Sequence, residues 1–157
     1  MSVVRSQLSV AFVNSNLNNM ERTNFENLKV YQLSEALADL IWDISSGWNN
    51  FARDTVGKQI VRSADSIGAN IAEGTGRGSY QDNRRFVKIG RGSLNETKHW
   101  LRRAYKRNLL TEAQIEQLKP IINELSPKLN AYLNSIGASK TGKATDHRPL
   151  TTNEKNG

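Results

Sequence analysis

At 157 residues, 37% hydrophobic and 24% charged, the chain has the size and composition of one globular domain with a single core. It carries no cysteine, which excludes a disulfide framework, a thiol nucleophile and a cysteine zinc site. The formal net charge of +7 and a pI near 9.9 point to an anionic partner, while no apolar run approaches the roughly 20 residues of a membrane span.

Residues 1–24 are rich in asparagine and serine (Asn14, Ser15, Asn16, Asn18, Asn19) and show no sustained period, so they are expected to form a flexible leader. The run Val10-Ala11-Phe12-Val13 is shorter than the apolar stretch of a secretory signal and has only Arg5 ahead of it. A cytoplasmic, unprocessed chain is therefore expected. Three prolines and a mean hydropathy of −0.60 favour helix. From Leu28, the residues Val30, Leu33, Leu37, Leu40, Ile41 and Ile44 recur at helical spacing, with Gln32, Glu35, Asp39 and Asp43 mostly elsewhere. This first helix should end near Ser46-Gly47, with the glycine free to take a left-handed cap. Trp48 and Phe51 fall in the connection, and Asp54 and Thr55 are the expected N-caps of a second helix.

In the second helix Val56, Ile60, Ala64, Ile67 and Ile71 share one face, with Gly57, Ala64 and Gly68 along its edge. Glycine inside a helix costs about 0.5–1 kcal/mol relative to alanine. Close approach of a neighbouring helix is the reason expected here, and Gly90, Ser93 and Thr97 of the third helix supply a matching set of small residues. The two should form an antiparallel hairpin joined by Gly74-Thr75-Gly76-Arg77-Gly78. That turn comes after a helix instead of a strand and lacks the Gly-Lys-Ser/Thr ending, so it is not read as a phosphate loop. Ser79, with Asp82 three residues on, caps the third helix.

The third helix spans 79–108 and has two expected faces. Phe86, Ile89, Gly90, Ser93, Leu94, Thr97, Trp100, Leu101 and Ala104 form a small-and-apolar stripe, and Arg84, Lys88, Arg91, Lys98, Arg102 and Lys106 lie almost opposite. With Arg85, Arg103 and Arg107, against Asp82 and Glu96, the segment has a net charge of +7, equal to that of the whole chain. The basicity is thus a property of one surface. In the fourth helix Thr111 and Gln114 form a capping-box pattern before Ile115, Leu118, Ile122, Leu125, Leu129, Tyr132 and Ile136. Pro120 and Pro127 interrupt it, and a kink or break is expected at one of them. Residues 138–157 are almost free of apolar side chains and are expected to be disordered. The chain is therefore expected to be all-α, with an antiparallel up-down-up-down four-helix bundle over 25–137 between flexible tails.

The segments Gln59-Ile60-Val61-Arg62-Ser63-Ala64 and Ser66-Ile67-Gly68-Ala69-Asn70-Ile71-Ala72-Glu73-Gly74, together with Gly76-Arg77, Phe86 and Gly92-Ser93-Leu94-Asn95-Glu96-Thr97, carry a resemblance. They resemble the four-helix-bundle proteins encoded in intervening sequences of bacterial 23S rRNA genes. That family includes the accessory variability determinants of diversity-generating retroelements. The resemblance covers about 25–137 and implies a ring-shaped homopentamer with a basic surface, nucleic-acid binding and, for the retroelement members, partnership with a reverse transcriptase. It implies no enzymatic activity and no cofactor. The two prolines of the fourth helix and the extended tails depart from the pattern.

The candidate nucleic-acid-binding residues are Arg84, Lys88, Arg91, Lys98, Arg102 and Lys106, with Arg77 at the start of the third helix where free N–H groups also favour anions. A solvated face normally mixes signs, and this stripe contains no acid. His99 and His147 have no second ligand at metal spacing and no paired carboxylate or serine, so they serve neither a metal nor catalysis. Asn70 and Glu73 are read as hydrogen-bonding groups at a helix end, with Arg62 or Arg77 as partner. Trp42 and Val61, at the edges of their apolar arcs, join Trp48 and Phe51 in exceeding what a monomeric bundle covers, which fits a subunit interface. The expected function is a non-enzymatic, oligomeric nucleic-acid-binding protein that contacts phosphates with little sequence selectivity, RNA and DNA both remaining open as ligands. The alternative is an accessory protein of a diversity-generating retroelement that binds a reverse transcriptase and its RNA.

Overall fold

A computed structural model describes residues 24–138 of the chain. Apart from Asn24 and Ala138, the expected leader and tail lie outside the described residues. Four long helices make up the fold: α1 (Lys29–Ser46), α2 (Lys58–Thr75), α3 (Tyr80–Lys106) and α4 (Glu112–Ser135), with no strand among the described residues. α1 packs on α2 and α4, and α3 on α2 and α4, whereas neither α1 and α3 nor α2 and α4 approach each other. This cyclic arrangement, joined by short connections, is the up-down-up-down bundle.

Its axis is filled by Leu37, Ile41, Ile60, Ile67, Ile71, Leu94, Leu125 and Leu129, each at most 2% exposed. Burying each such side chain is worth about 1.5–3 kcal/mol, so these positions are the main source of cohesion. The α2–α3 contact is the most extensive, and the small residues explain it. A Cβ added at Gly90 would stand 3.2 Å from the Ile67 carbonyl oxygen, and one at Gly74 3.1 Å from that of Asn83. Between these glycines and the helix ends, the buried Thr97 hydroxyl donates to Ser63 Oγ at 3.0 Å, and Ser63 donates to the Ile60 carbonyl at 3.0 Å. Both groups are thereby satisfied inside the core. Gly68 serves a different neighbour from the one expected, because it faces Tyr31 and Ser34 of α1.

Several local expectations hold. Ser79 Oγ accepts from the Asp82 N–H at 3.1 Å, and Thr111 with Gln114 forms both halves of a capping box. Others are corrected. Asp54 and Thr55 cap nothing: the chain turns helical earlier, at Asn50–Ala52, where Asn49 Oδ1 accepts from the Ala52 N–H, and passes through a wide π turn, Arg53–Gly57, into α2. Phe51 consequently sits in a helical turn and not in a loop. Asp54 pairs instead with Lys58 at 3.6 Å, and Thr55 donates to the Phe51 carbonyl at 2.7 Å. Gly47 stays right-handed at φ −82°. Left-handed residues instead follow the last two helices: Gly137 (φ 81°) after α4, and Asn108 (φ 57°), which lets the Leu109 N–H reach back to the Ala104 carbonyl and close α3. α4 continues through both prolines without a break. Pro120 and Pro127 are exposed, as are Glu116 and Asn123, whose carbonyls lose their amide partners, so water can satisfy those groups.

Candidate nucleic-acid interface

α3 is turned relative to the expectation. Val87 is fully buried and Ile89 is 48% exposed, the reverse of the predicted stripe. Val87, Gly90, Leu94, Thr97 and Ala104 face the core, a direction roughly 40° from the predicted one at about 100° per residue. The six cations therefore stand to one side of the core instead of directly opposite it, and four of them, Arg84, Arg91, Arg102 and Lys106, reach the seam between α3 and α4. Packing is sparse along that seam compared with the α2–α3 contact.

These cations occupy unequal positions. Arg84 is half-buried, and its Nη1 donates to the carbonyls of Leu133 at 2.8 Å and Ile136 at 3.4 Å, so its charge caps the C-terminus of α4. Arg91 is exposed and reaches Asn130 Oδ1 at 3.4 Å. Lys88, Arg102 and Lys106 are exposed and Lys98 is half-buried. Among the described residues none of these four, nor Arg91, has an acidic partner within 4.0 Å. Arg77 differs: it pairs with Glu73 at 2.6 Å and lies over the Phe86 ring at 4.7 Å. Glu73 is thus the helix-end partner expected for Arg77, and Asn70 donates to the Ser66 carbonyl at 2.7 Å. His99 is exposed with its ring edge-on to Trp100 at 5.0 Å, and no group of metal-ligating side chains occurs among the described residues. His147 lies outside them.

Two features of this face escaped the sequence. Arg103 is exposed beside Arg102, and α3 and α4 part towards the α3 C-terminus to leave a groove of ≈ 480 Å³. Leu101, Leu110, Ile115 and Ile122 line it, while Arg102, Arg103, Lys106 and Lys119 bring charge and Tyr105, 50% exposed, adds an aromatic ring. Tyr105 interrupting a run of cations was the available signal, but its meaning required knowing that α4 lies beside it.

The opposite face has the opposite sign. Between α1 and α2, Glu35, Asp39 and Asp65 surround Tyr31, Ala38 and Gly68. Burial, then the hydrogen bond and charge of Glu35, push the Tyr31 hydroxyl up to about 12, and burial followed by the Asp39 charge raises Asp65. The protein therefore presents an acidic edge at α1–α2 and a basic one at α3–α4, so an anion is drawn to the latter. A third surface, around Trp42 (61% exposed), Val61 and Gly57, encloses a pit of ≈ 430 Å³ beside the π turn. Phe51 is 80% exposed on the same connection. Trp48 is not part of the uncovered set. It packs on the core, and its Nε1 donates to the Leu109 carbonyl at 2.8 Å, tying the first connection to the third.

The fold and this segregated charge can be set beside known proteins. Residues 26–131 match the family model described as 23S rRNA-intervening sequence protein. Among solved structures, a Bacteroides thetaiotaomicron protein of unknown function from the S23 ribosomal protein family is similar at a TM-score of 0.60 and 27% identity. The similarity covers 68% of this chain and 99% of that one. Among curated proteins none matches. The family match spans well over half the sequence and all but the end of α4: the chain belongs to the 23S rRNA-intervening sequence protein family.

Proposed function

We propose that the protein is a non-enzymatic nucleic-acid-binding protein whose contact surface is the α3–α4 edge. The observation that carries this is the row Lys88, Arg91, Lys98, Arg102 and Lys106, without an acidic partner in reach among the described residues. Elsewhere lysines pair locally, as Lys58 does with Asp54 and Lys119 with Glu116. Side chains on long flexible stems meet phosphates without fixing a base, so binding is driven by counterion release and reads little sequence. Neutralising five phosphates gives a slope of log K against log salt of about −3.5 to −4.5 per protomer. Between 50 and 200 mM salt the affinity should fall about 100- to 500-fold, and a flat response refutes the proposal.

Oligomerisation belongs to the same proposal. Trp42, Phe51 and the pit beside Val61, itself lined by Arg53, Lys58 and Arg62, lie apart from the α3 row, and a second copy seated there would leave each α3–α4 edge open. A ring, pentameric as the family resemblance implies, multiplies the basic rows and so the avidity. Light scattering on the wild type and on Trp42→Ser measures this directly: a larger assembly reduced by the substitution supports it, and a monomeric wild type at micromolar concentration contradicts it. The same uncovered aromatics favour a second role, an accessory protein holding a protein partner such as the reverse transcriptase of a diversity-generating retroelement. A neighbouring reverse-transcriptase gene with template and variable repeats would favour that role.

A further inference from the structure

The nucleic-acid reading concerns phosphates, and the groove at the end of α3 asks for something else. Leu101, Leu110, Ile115 and Ile122 are each only half-buried there, an apolar surface left in water between two helices of the same bundle. Its volume, ≈ 480 Å³, falls in the roughly 300–1,000 Å³ range of small-ligand sites. Tyr105 stands half-exposed at this groove, and Arg102, Arg103 and Lys106 surround it, while Lys119 on the α4 side is already paired with Glu116 at 3.3 Å. An apolar floor, an aromatic face and a cationic rim correspond part by part to a nucleotide, with its base and its phosphates.

We infer that this groove receives an unstacked base of a single-stranded nucleic acid, which stacks on Tyr105 while the surrounding cations hold the flanking phosphates. The inference rests on the nucleic-acid reading and adds a preference for strand state. A duplex keeps its bases stacked inside and offers the groove only phosphates, so its apolar floor stays wet. A single strand can turn a base out, cover that floor and gain the stacking energy as well. Every base has an aromatic face, so the preference is for strand state and not for sequence. Glu112, the one acid lining the groove, repels a phosphate and accepts a hydrogen bond from an exocyclic amino group, which orients the base edge inwards. The row from Lys88 to Lys106 leads along α3 into this end, so a strand tracking the cations arrives at the groove.

The test is fluorescence anisotropy of the full chain with an unstructured single-stranded RNA and a duplex of equal length at one salt concentration, using wild type, Tyr105→Ala, Tyr105→Phe and Lys88→Gln. A 2-aminopurine placed in the single strand reports stacking independently. The inference predicts tighter binding of the single strand and quenching of 2-aminopurine on binding. It further predicts a loss of at least about five-fold on the single strand alone for Tyr105→Ala, and recovery in Tyr105→Phe. Lys88→Gln should weaken both ligands alike. Equal binding of the two ligands, or Tyr105→Ala matching wild type on both with no quenching, overturns the inference and leaves the phosphate reading standing. Binding of neither ligand overturns both.

Discussion

Replacing Arg84 by methionine separates a structural cation from those proposed to bind phosphates along the same helix. The methionine keeps most of the stem's packing, while the two hydrogen bonds to the Leu133 and Ile136 carbonyls disappear. Hydrogen bonds from a charged donor are worth about 1.5–3 kcal/mol in well-buried settings. A cation at a helix C-terminus contributes about 0.3–1 kcal/mol when exposed. Arg84 is half-buried and the second bond is long at 3.4 Å, so a loss of about 1–2 kcal/mol is expected. For a domain of this size that lowers Tm by roughly 4–10 °C at fixed protein concentration. Lys88→Gln, on the exposed side one turn later, should move stability by less than about 0.5 kcal/mol. In binding the order reverses. Lys88→Gln should reduce the salt slope by about 0.7–0.9, and Arg84→Met should leave the slope as it is. Thermal denaturation and anisotropy on the two variants suffice. If Arg84→Met melts with the wild type and loses as much affinity as Lys88→Gln, the assignment of Arg84 to α4 is wrong.

Gly74→Ala should destabilise by about 1–2 kcal/mol, because overpacking against the Asn83 carbonyl at 3.1 Å and Phe86 Cβ at 3.2 Å outweighs the gain in helix propensity. Gly92→Ala is the control: nothing lies within 4 Å of its added Cβ, so it should stabilise by about 0.5–1 kcal/mol in the same melt. Tyr31 binds its proton more tightly in the folded state, so the stability it contributes is complete below pH 10 and is lost as pH rises towards about 12. Spectrophotometric titration should find one tyrosine with a late midpoint, absent in Tyr31→Phe. Asp65 is also raised, so its ionisation costs stability as pH rises through its folded value. Asp65→Asn should accordingly raise Tm at neutral pH, with the gain fading once the carboxyl is protonated in both states.

Helix number, helix order and the N-caps of α3 and α4 could be read from the sequence because each has a local cause. Ser79 caps α3 through the N–H three residues on, and Thr111 and Gln114 sit at the spacing the capping box needs. The dense α2–α3 contact was legible in part: Gly90 meets α2 as expected, whereas Gly68, assigned to the same contact, faces α1 and Gly57 packs on Ala52 and Trp48. The misjudged details depend on where other helices lie. Val87 and Ile89 are equally apolar, and only the positions of α2 and α4 decide which is buried. That rotation brings Arg84, Arg91, Arg102 and Lys106, expected to face solvent squarely, to the border of a seam. Pro120 and Pro127 fall seven residues apart on the exposed side of α4, where water can reach the carbonyls they leave unpaired, so the helix runs on without a break, a fact about burial that propensity alone does not contain. Arg84 looked like its neighbours on α3 until the C-terminus of α4 came within reach. The groove at Tyr105 belongs to two helices and is visible in neither one alone.

The most direct test of the central claim is a salt titration of single-stranded RNA binding. It compares wild type with a variant carrying Lys88→Glu, Arg91→Glu, Arg102→Glu and Lys106→Glu, both matched for helicity and oligomer size. The account predicts wild-type affinity falling with a slope of about −3.5 to −4.5 per protomer engaged and no measurable binding by the variant. Equal binding by the two proteins, or a wild-type affinity indifferent to salt, would contradict it.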